Sequence, residues 1–209
     1  MKNLFKLSFL LFAFVLTSCS DDDTIIVDPT NDTNPTSISN FVSTTADYST
    51  LANALEITSL TETLNGEGPF TVFAPNNDAF AAFLAANGFT SLEDVPVDVL
   101  TNTLLNHVVL GTNNAADLTT SYINSLAVFG DTSRNLSLYI DVTTGVKING
   151  VSTVTQADIV VTNGVIHAVD IVIAIPTIVN QASANPAFST LLEALVAASD
   201  DATDYVALL

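Results

Sequence analysis

The residues of this chain that could begin acid-base, nucleophilic or metal chemistry are two histidines, one cysteine and 22 carboxylates spread over 209 positions. A histidine serves as general base or metal ligand when a carboxylate orients it and a further group shares the substrate or ion. His107 and His167 form no HxH or HxxxH pair, and each lies in an otherwise apolar segment, LLNHVVLG and NGVIHAVDIVI. That spacing does not suit a metal centre, so each ring is expected to tie backbone or hydroxyl groups together inside the fold. The chain also lacks a GxSxG nucleophile elbow, an HExxH pair and a glycine-rich phosphate loop. No catalytic residue, metal or cofactor is assigned.

The other place where groups could converge is FTVFAPNNDAF, residues 70–80. It reads as a strand stopped by Pro75 and followed by a helix, a turn that often presents reactive side chains. An activated nucleophile needs a base within hydrogen-bond reach and a group orienting that base, and the stretch supplies neither. Phe70, Val72 or Phe73, Phe80 and Phe83 read instead as buried against one another. Pro75 fixes the turn, and Asn76, Asn77 or Asp78 can cap the free amides of the next helix.

Around these segments the pattern is helical first and extended later. Folding begins near Ile38. Leu51, Ala54 and Leu55 recur at helical spacing after the possible caps Asp47 and Ser49, and Asn65 with Gly66 ends this region. Ala79, Phe80, Phe83 and Leu84 mark one face of a short helix closed by Asn87 and Gly88, and residues 97–106 give another with Leu100, Leu104 and Leu105 on one side. After Gly111 come β-branched runs at 136–142, 146–148, 151–155, 159–161 and 165–173, with turns such as Asn149-Gly150 and Asn163-Gly164 between some of them. Helices followed by strands predict an α+β domain rather than a parallel nucleotide-binding sheet.

The amino terminus carries an address. Lys2 and Lys6 precede an apolar run at 7–16, too short to span a bilayer but suited to a secretory signal. Leu16, Thr17, Ser18 and Cys19 resemble the lipobox of bacterial lipoproteins, which implies removal of residues 1–18 and acylation of Cys19. Ser20 with Asp21, Asp22 and Asp23 resembles the acidic signal that sends some lipoproteins to the outer face of the outer membrane; a periplasmic location is the alternative. Acylation would consume the only cysteine, leaving neither disulfide nor thiolate chemistry. Residues 19–36, rich in Asp, Asn, Thr and Pro, read as an acidic flexible tether.

With the signal removed, Arg134 and Lys147 alone face all 22 acidic residues. Such a surface repels nucleic acid and anionic lipid headgroups, so membrane contact is expected only through the anchor. The carboxylates between Asp21 and Asp32 could gather calcium loosely, but they lack the glycine and closing glutamate of a calcium loop.

A repeat begins near the carboxyl end. Tyr48, Ser49, Thr50, Leu51, Ala54 and Leu55 recur 140 positions later as Phe188, Ser189, Thr190, Leu191, Ala194 and Leu195. Residues 37–175 are therefore read as one domain and 176–209 as the start of a second, truncated copy within a longer tandem protein.

Three segments identify the domain by resemblance. TVFAPNNDAF resembles the first signature of the fasciclin domain, NGVIHAVDIVI resembles the second, and LLNHVVLG between them matches the segment where many such domains carry a Tyr-His pair. The resemblance implies a wedge of about seven β-strands with small flanking helices, in which Thr71, Phe73, Pro75, Asp78, Phe80, Gly164 and His167 are motif residues. It also implies a non-enzymatic adhesion protein. Eukaryotic fasciclin domains have been linked to integrin binding through the Tyr-His region and an Asp-Ile pair before the second signature. Asn106, His107, Asp158 and Ile159 stand at those places here, with Asn106 where the tyrosine would be. The expected partners are cell-surface or matrix proteins or polysaccharides. A polysaccharide or small-ligand module is the alternative, weakened by the absence of Trp and the presence of only four Tyr.

Overall fold

A computed structural model describes residues 36–130 and 132–199. The expected signal peptide, the lipidation site Cys19 and the tether up to residue 35 lie outside the described residues.

Seven strands run in chain order around a closed barrel: β1 (Phe70–Pro75), β2 (Val108–Leu110), β3 (Ser121–Val128), β4 (Asn135–Asp141), β5 (Lys147–Ile148), β6 (Ser152–Val161) and β7 (Gly164–Val169). Neighbours pair antiparallel except where β7 closes against β1 in parallel, placing Phe73 opposite His167. Four helices precede or follow β1 on one side of the barrel: α1 (Ile38–Thr44), α2 (Ser49–Ile57), the single turn α3 (Thr61–Leu64) and α4 (Asn77–Ala86). Next, α5 (Val97–Leu105) leads into β2, and α6 (Ile178–Ala184) and α7 (Ser189–Ala198) come after β7. This is the expected α+β fold with seven strands and small helices.

Side chains alternate across a strand, and β1 uses both faces. Val72 and Ala74 join the core beneath the helices, with Ile38, Leu51, Phe80, Leu100 and Ile166. Phe73 points the other way, into a second core with Leu138, Ile140, Ile148 and Ile173. A strand buried on both faces reads as a continuous apolar run, as FTVFAP does.

The β1–β7 closure demands one glycine. A Cβ on Gly164 would lie 2.0 Å from the carbonyl oxygen of Phe70, closer than any van der Waals contact, so only hydrogen fits there.

Three boundaries differ from the sequence pattern. Strand β3 has little apolar alternation because its inward positions include the small residues Ser125 and Ala127. Strand β6 is one element rather than two runs, since its polar middle is carried across two irregularities between Val154 and Ile159. Strand β7 ends at Val169, short of Ile173, where the Asp170 carboxylate accepts from Thr153 N–H at 2.7 Å and the chain leaves the ladder.

Candidate functional site

The proline corner is built by backbone needs. Pro75 is buried and ends β1, and the Asn76 carboxamide accepts from Ala79 N–H at 2.9 Å as the amino-terminal cap of α4. Asn77 turns toward a different helix: its Oδ1 accepts from Thr50 N–H at 2.9 Å and its Nδ2 donates to the Ala46 carbonyl at 2.9 Å. It thus caps α2 from 27 residues away. Asp78 lies exposed in the first turn of α4, where a carboxylate suits the helix dipole. Phe80 is fully buried.

His107 sits at the α5–β2 junction. Its Nδ1 donates to the Thr103 carbonyl at 2.8 Å and its Nε2 accepts from Ile173 N–H at 2.8 Å. Both bonds need a neutral ring with the proton on Nδ1. Burial lowers its pKa from 6.5 to about 4, with the Thr103 bond opposing in part. Beside it, the Asn106 amide donates to the carbonyls of Ile173 and Ala174, both at 3.2 Å, and its oxygen accepts from Ser125 Oγ at 2.9 Å. The pair therefore pins the segment after β7 to α5 and β3.

His167 carries the opposite tautomer. Nδ1 accepts from Asp158 N–H at 3.2 Å, and Nε2 donates to the Asn113 carbonyl at 2.9 Å. Its ring stacks on Phe73, centroids 5.6 Å apart. Thr71 completes the tie: its hydroxyl donates to the Gly111 carbonyl at 2.7 Å and accepts from Asn113 N–H at 2.9 Å. His167 and Thr71 thereby hold the loop after β2 against β1 and β7.

Asp158 occupies the irregular stretch of β6 with a positive φ of 59°, a conformation that Asp tolerates better than most residues. Its carboxylate accepts from Ala115 N–H at 2.8 Å and lies 4.0 Å from His167 Nδ1, with 43% of the side chain exposed. Ile159 is half-buried against the helical core, and its neighbour Val160 is 79% exposed.

The four candidate contact residues therefore separate into two groups. Asn106 and His107 are 0% and 2% exposed, so they offer no surface to a partner; their polar atoms are used within the framework, and the expectation of direct contact is corrected for both. Asp158 and Ile159 lie at the surface of β6, with Val160 as the outward apolar group that the Asp-Ile match did not single out.

Two asparagines have roles beyond the local turn and cap that their sequence positions suggest. Asn163, in the turn into β7, accepts from Ile38 N–H at 2.9 Å and donates to the carbonyls of Leu64 and Gly66, joining α1 and α3 to the barrel. Asn77, at the start of α4, caps α2 instead of its own helix. In both cases the partner is remote in sequence, so local spacing held no signal.

Among the described residues no group of three or more His, Cys, Asp or Glu side chains gathers where a metal ion would sit, and no helix is long and apolar enough to cross a membrane.

Comparison with known proteins bears on the whole arrangement. The family description "Fasciclin domain" matches residues 46–176. "Protein sll1483" of Synechocystis is 43% identical over 130 residues, covering 62% of this chain and 68% of that protein. Human periostin is 31% identical over 137 residues, 65% of this chain but only 15% of periostin. A solved structure described as a FAS1 domain pair from the insect cell adhesion molecule fasciclin I superposes with a TM-score of 0.55 at 14% identity, covering 67% of this chain and 51% of that one. At that identity the likeness is one of fold.

Proposed function

The chain belongs to the fasciclin domain family, and from that premise we propose that it is a non-enzymatic adhesion or interaction protein, carried on a lipid anchor at Cys19. Its place is the outer membrane, facing outward, and its partners are cell-surface or matrix proteins or polysaccharides rather than nucleic acid. The observation that carries this reading is the division of polar groups. Both histidines spend their ring nitrogens on internal hydrogen bonds, whereas Asp158 is partly exposed, its backbone N–H donating to His167 and its carboxylate accepting from Ala115 N–H.

A rigid carboxylate next to exposed Val160 offers a partner one charged and one apolar contact at little ordering cost. Single contacts of this size are weak, and repetition strengthens them by raising effective concentration. The structure of α6 and α7 supports the reading that 176–209 opens a second copy. The order of helix, 3-10 turn and helix from Ile38 to Ile57 recurs from Ile178 to Ala198, each element starting 140 positions later. Ser37 and Thr177 each accept the equivalent amide, of Asn40 and Asn180. Leu51 is 4% exposed within the core beneath the helices, whereas its counterpart Leu191 is 52% exposed.

Beads coated with the full chain through its amino terminus test the reading. They are expected to attach to cells of the producing organism or to its extracellular matrix, and attachment should survive addition of a metal chelator. Attachment no greater than that of beads carrying an unrelated acidic protein would refute it.

A further inference from the structure

Strand β6 keeps part of one edge open. It pairs with β7 from Val154 to Val161, but β5 meets it only at Ser152 and Thr153, and Val154 N–H adds one bond to the Val146 carbonyl. Among the described residues no strand lies against residues 155–161 on that side. Thr155 to Asp158 and Val160 are exposed there.

The hairpin into β7 sets the direction of the free backbone groups. Val161 and Gly164 flank a two-residue turn and exchange backbone bonds, so the residue before them, Val160, turns its N–H and C=O away from β7. Thr162 N–H, two positions on, points the same way and donates to the Thr36 carbonyl at 2.9 Å. Of the usual ways of blunting an edge, β6 uses an irregularity between Gln156 and Ile159 and the carboxylate of Asp158. Past these, Ile159–Val161 is a β-branched run in regular register with β7.

We propose that this edge takes up an extended polypeptide segment of a partner protein, which adds to β6 as a further strand with an apolar side chain at Val160 and a basic one at Asp158. The backbone pairing follows from the outward N–H and C=O of Val160, which a strand satisfies together. The basic residue follows from charge. Asp158 is held at the surface of a chain of formal net charge −18, and the two Lys or Arg side chains among the described residues lie elsewhere, Lys147 opposite Asp141 in the β4–β5 pair and Arg134 just before β4. A second copy of the chain would bring the same excess of carboxylates, which disfavours it as the occupant. The inference rests on the adhesive reading of β6 and narrows its partner to a protein.

Titration of the full chain with an acetylated, amidated threonine heptapeptide carrying one valine and one lysine two positions apart, followed through the backbone amide shifts of β6, tests it. The control peptides replace the lysine by glutamate, methylate the valine nitrogen, or are pentalysine. Val160→Pro removes the outward N–H at a place where an edge strand accepts proline. The expected result is saturable binding that is tighter than that of pentalysine, weakened about tenfold or more by the N-methyl group and by Val160→Pro, and about threefold or more by glutamate. No saturable binding, affinity unchanged by N-methylation, pentalysine bound as tightly, or β6 pairing with β6 of a second copy in the absence of peptide would overturn it. Should Val160→Pro not fold, the N-methyl peptide decides: retained affinity overturns the inference and lost affinity supports it. Beads that attach to cells equally well with folded Val160→Pro overturn the inference and leave the adhesive reading standing, whereas peptide bound as expected by a chain whose beads do not attach supports the inference and refutes that reading alone.

Discussion

Acidification from pH 7 to pH 4 should weaken the fold through His107. Above pH 6.5 the ring is neutral in both folded and unfolded chains and contributes no pH dependence. Between pH 6.5 and about 4 the unfolded chain takes up a proton that the folded chain refuses, because the buried ring has a pKa of about 4. Stability therefore falls as pH falls through this window. At about 1.4 kcal/mol per pH unit the full loss is about 3 kcal/mol. Below the window the folded ring is protonated too, and the slope from this group ends. The perturbation that isolates it is His107→Gln, whose amide can still donate to the Thr103 carbonyl and accept from Ile173 N–H but does not titrate. Urea unfolding of both proteins at half-unit steps from pH 7.5 to 4.5 gives the difference. The wild-type chain starts more stable, by on the order of 2 kcal/mol, and the gap narrows with acid. A gap that stays constant across the window would refute the claim that a neutral His107 ring is a structural tie.

Other ties give further expectations. Gly164→Ala drives a methyl group into the Phe70 carbonyl and should cost about 3 kcal/mol or more in thermal or urea unfolding. Asn163→Ala strands Ile38 N–H and the carbonyls of Leu64 and Gly66, with a loss of about 3 kcal/mol. Amide exchange should show α1 and α3 opening first. Asn77→Ala uncaps α2 rather than α4 and should cost about 1 kcal/mol, with exchange accelerated at Thr50. Val160→Ser, at an exposed position, should change stability by less than about 0.5 kcal/mol.

The sequence was most informative where one residue's surroundings are local. FTVFAP had to be a buried strand because nearly every position in it is apolar, and Pro75 with Asn76 had to turn and cap because those residues do little else. It was less informative where neighbours arrive from far away. Strand β3 carries no branched apolar pattern because Ser125 and Ala127 fill the tight inner positions that would otherwise hold branched side chains. The burial of Asn106 and His107 depends on Ile173 and Ala174, 66 to 68 residues later; a polar pair in an apolar segment reads equally well as a contact site until that strap is in place. Asp158 illustrates the reverse case. Its place in the Asp-Ile pair points to a contact, and its positive φ with an Ala115 tether makes it a fixed surface carboxylate.

The central claim is that chemistry-bearing groups inside the barrel serve structure while the β6 surface does the binding. Attachment of bead-bound full-length chain to cells or matrix should be measured at pH 7.5 for wild type, His107→Gln and the double variant Asp158→Asn, Val160→Ser, each verified as folded. Attachment equal to wild type for His107→Gln and lost in the double variant is the predicted result. Attachment lost in folded His107→Gln and kept in the double variant would contradict the account.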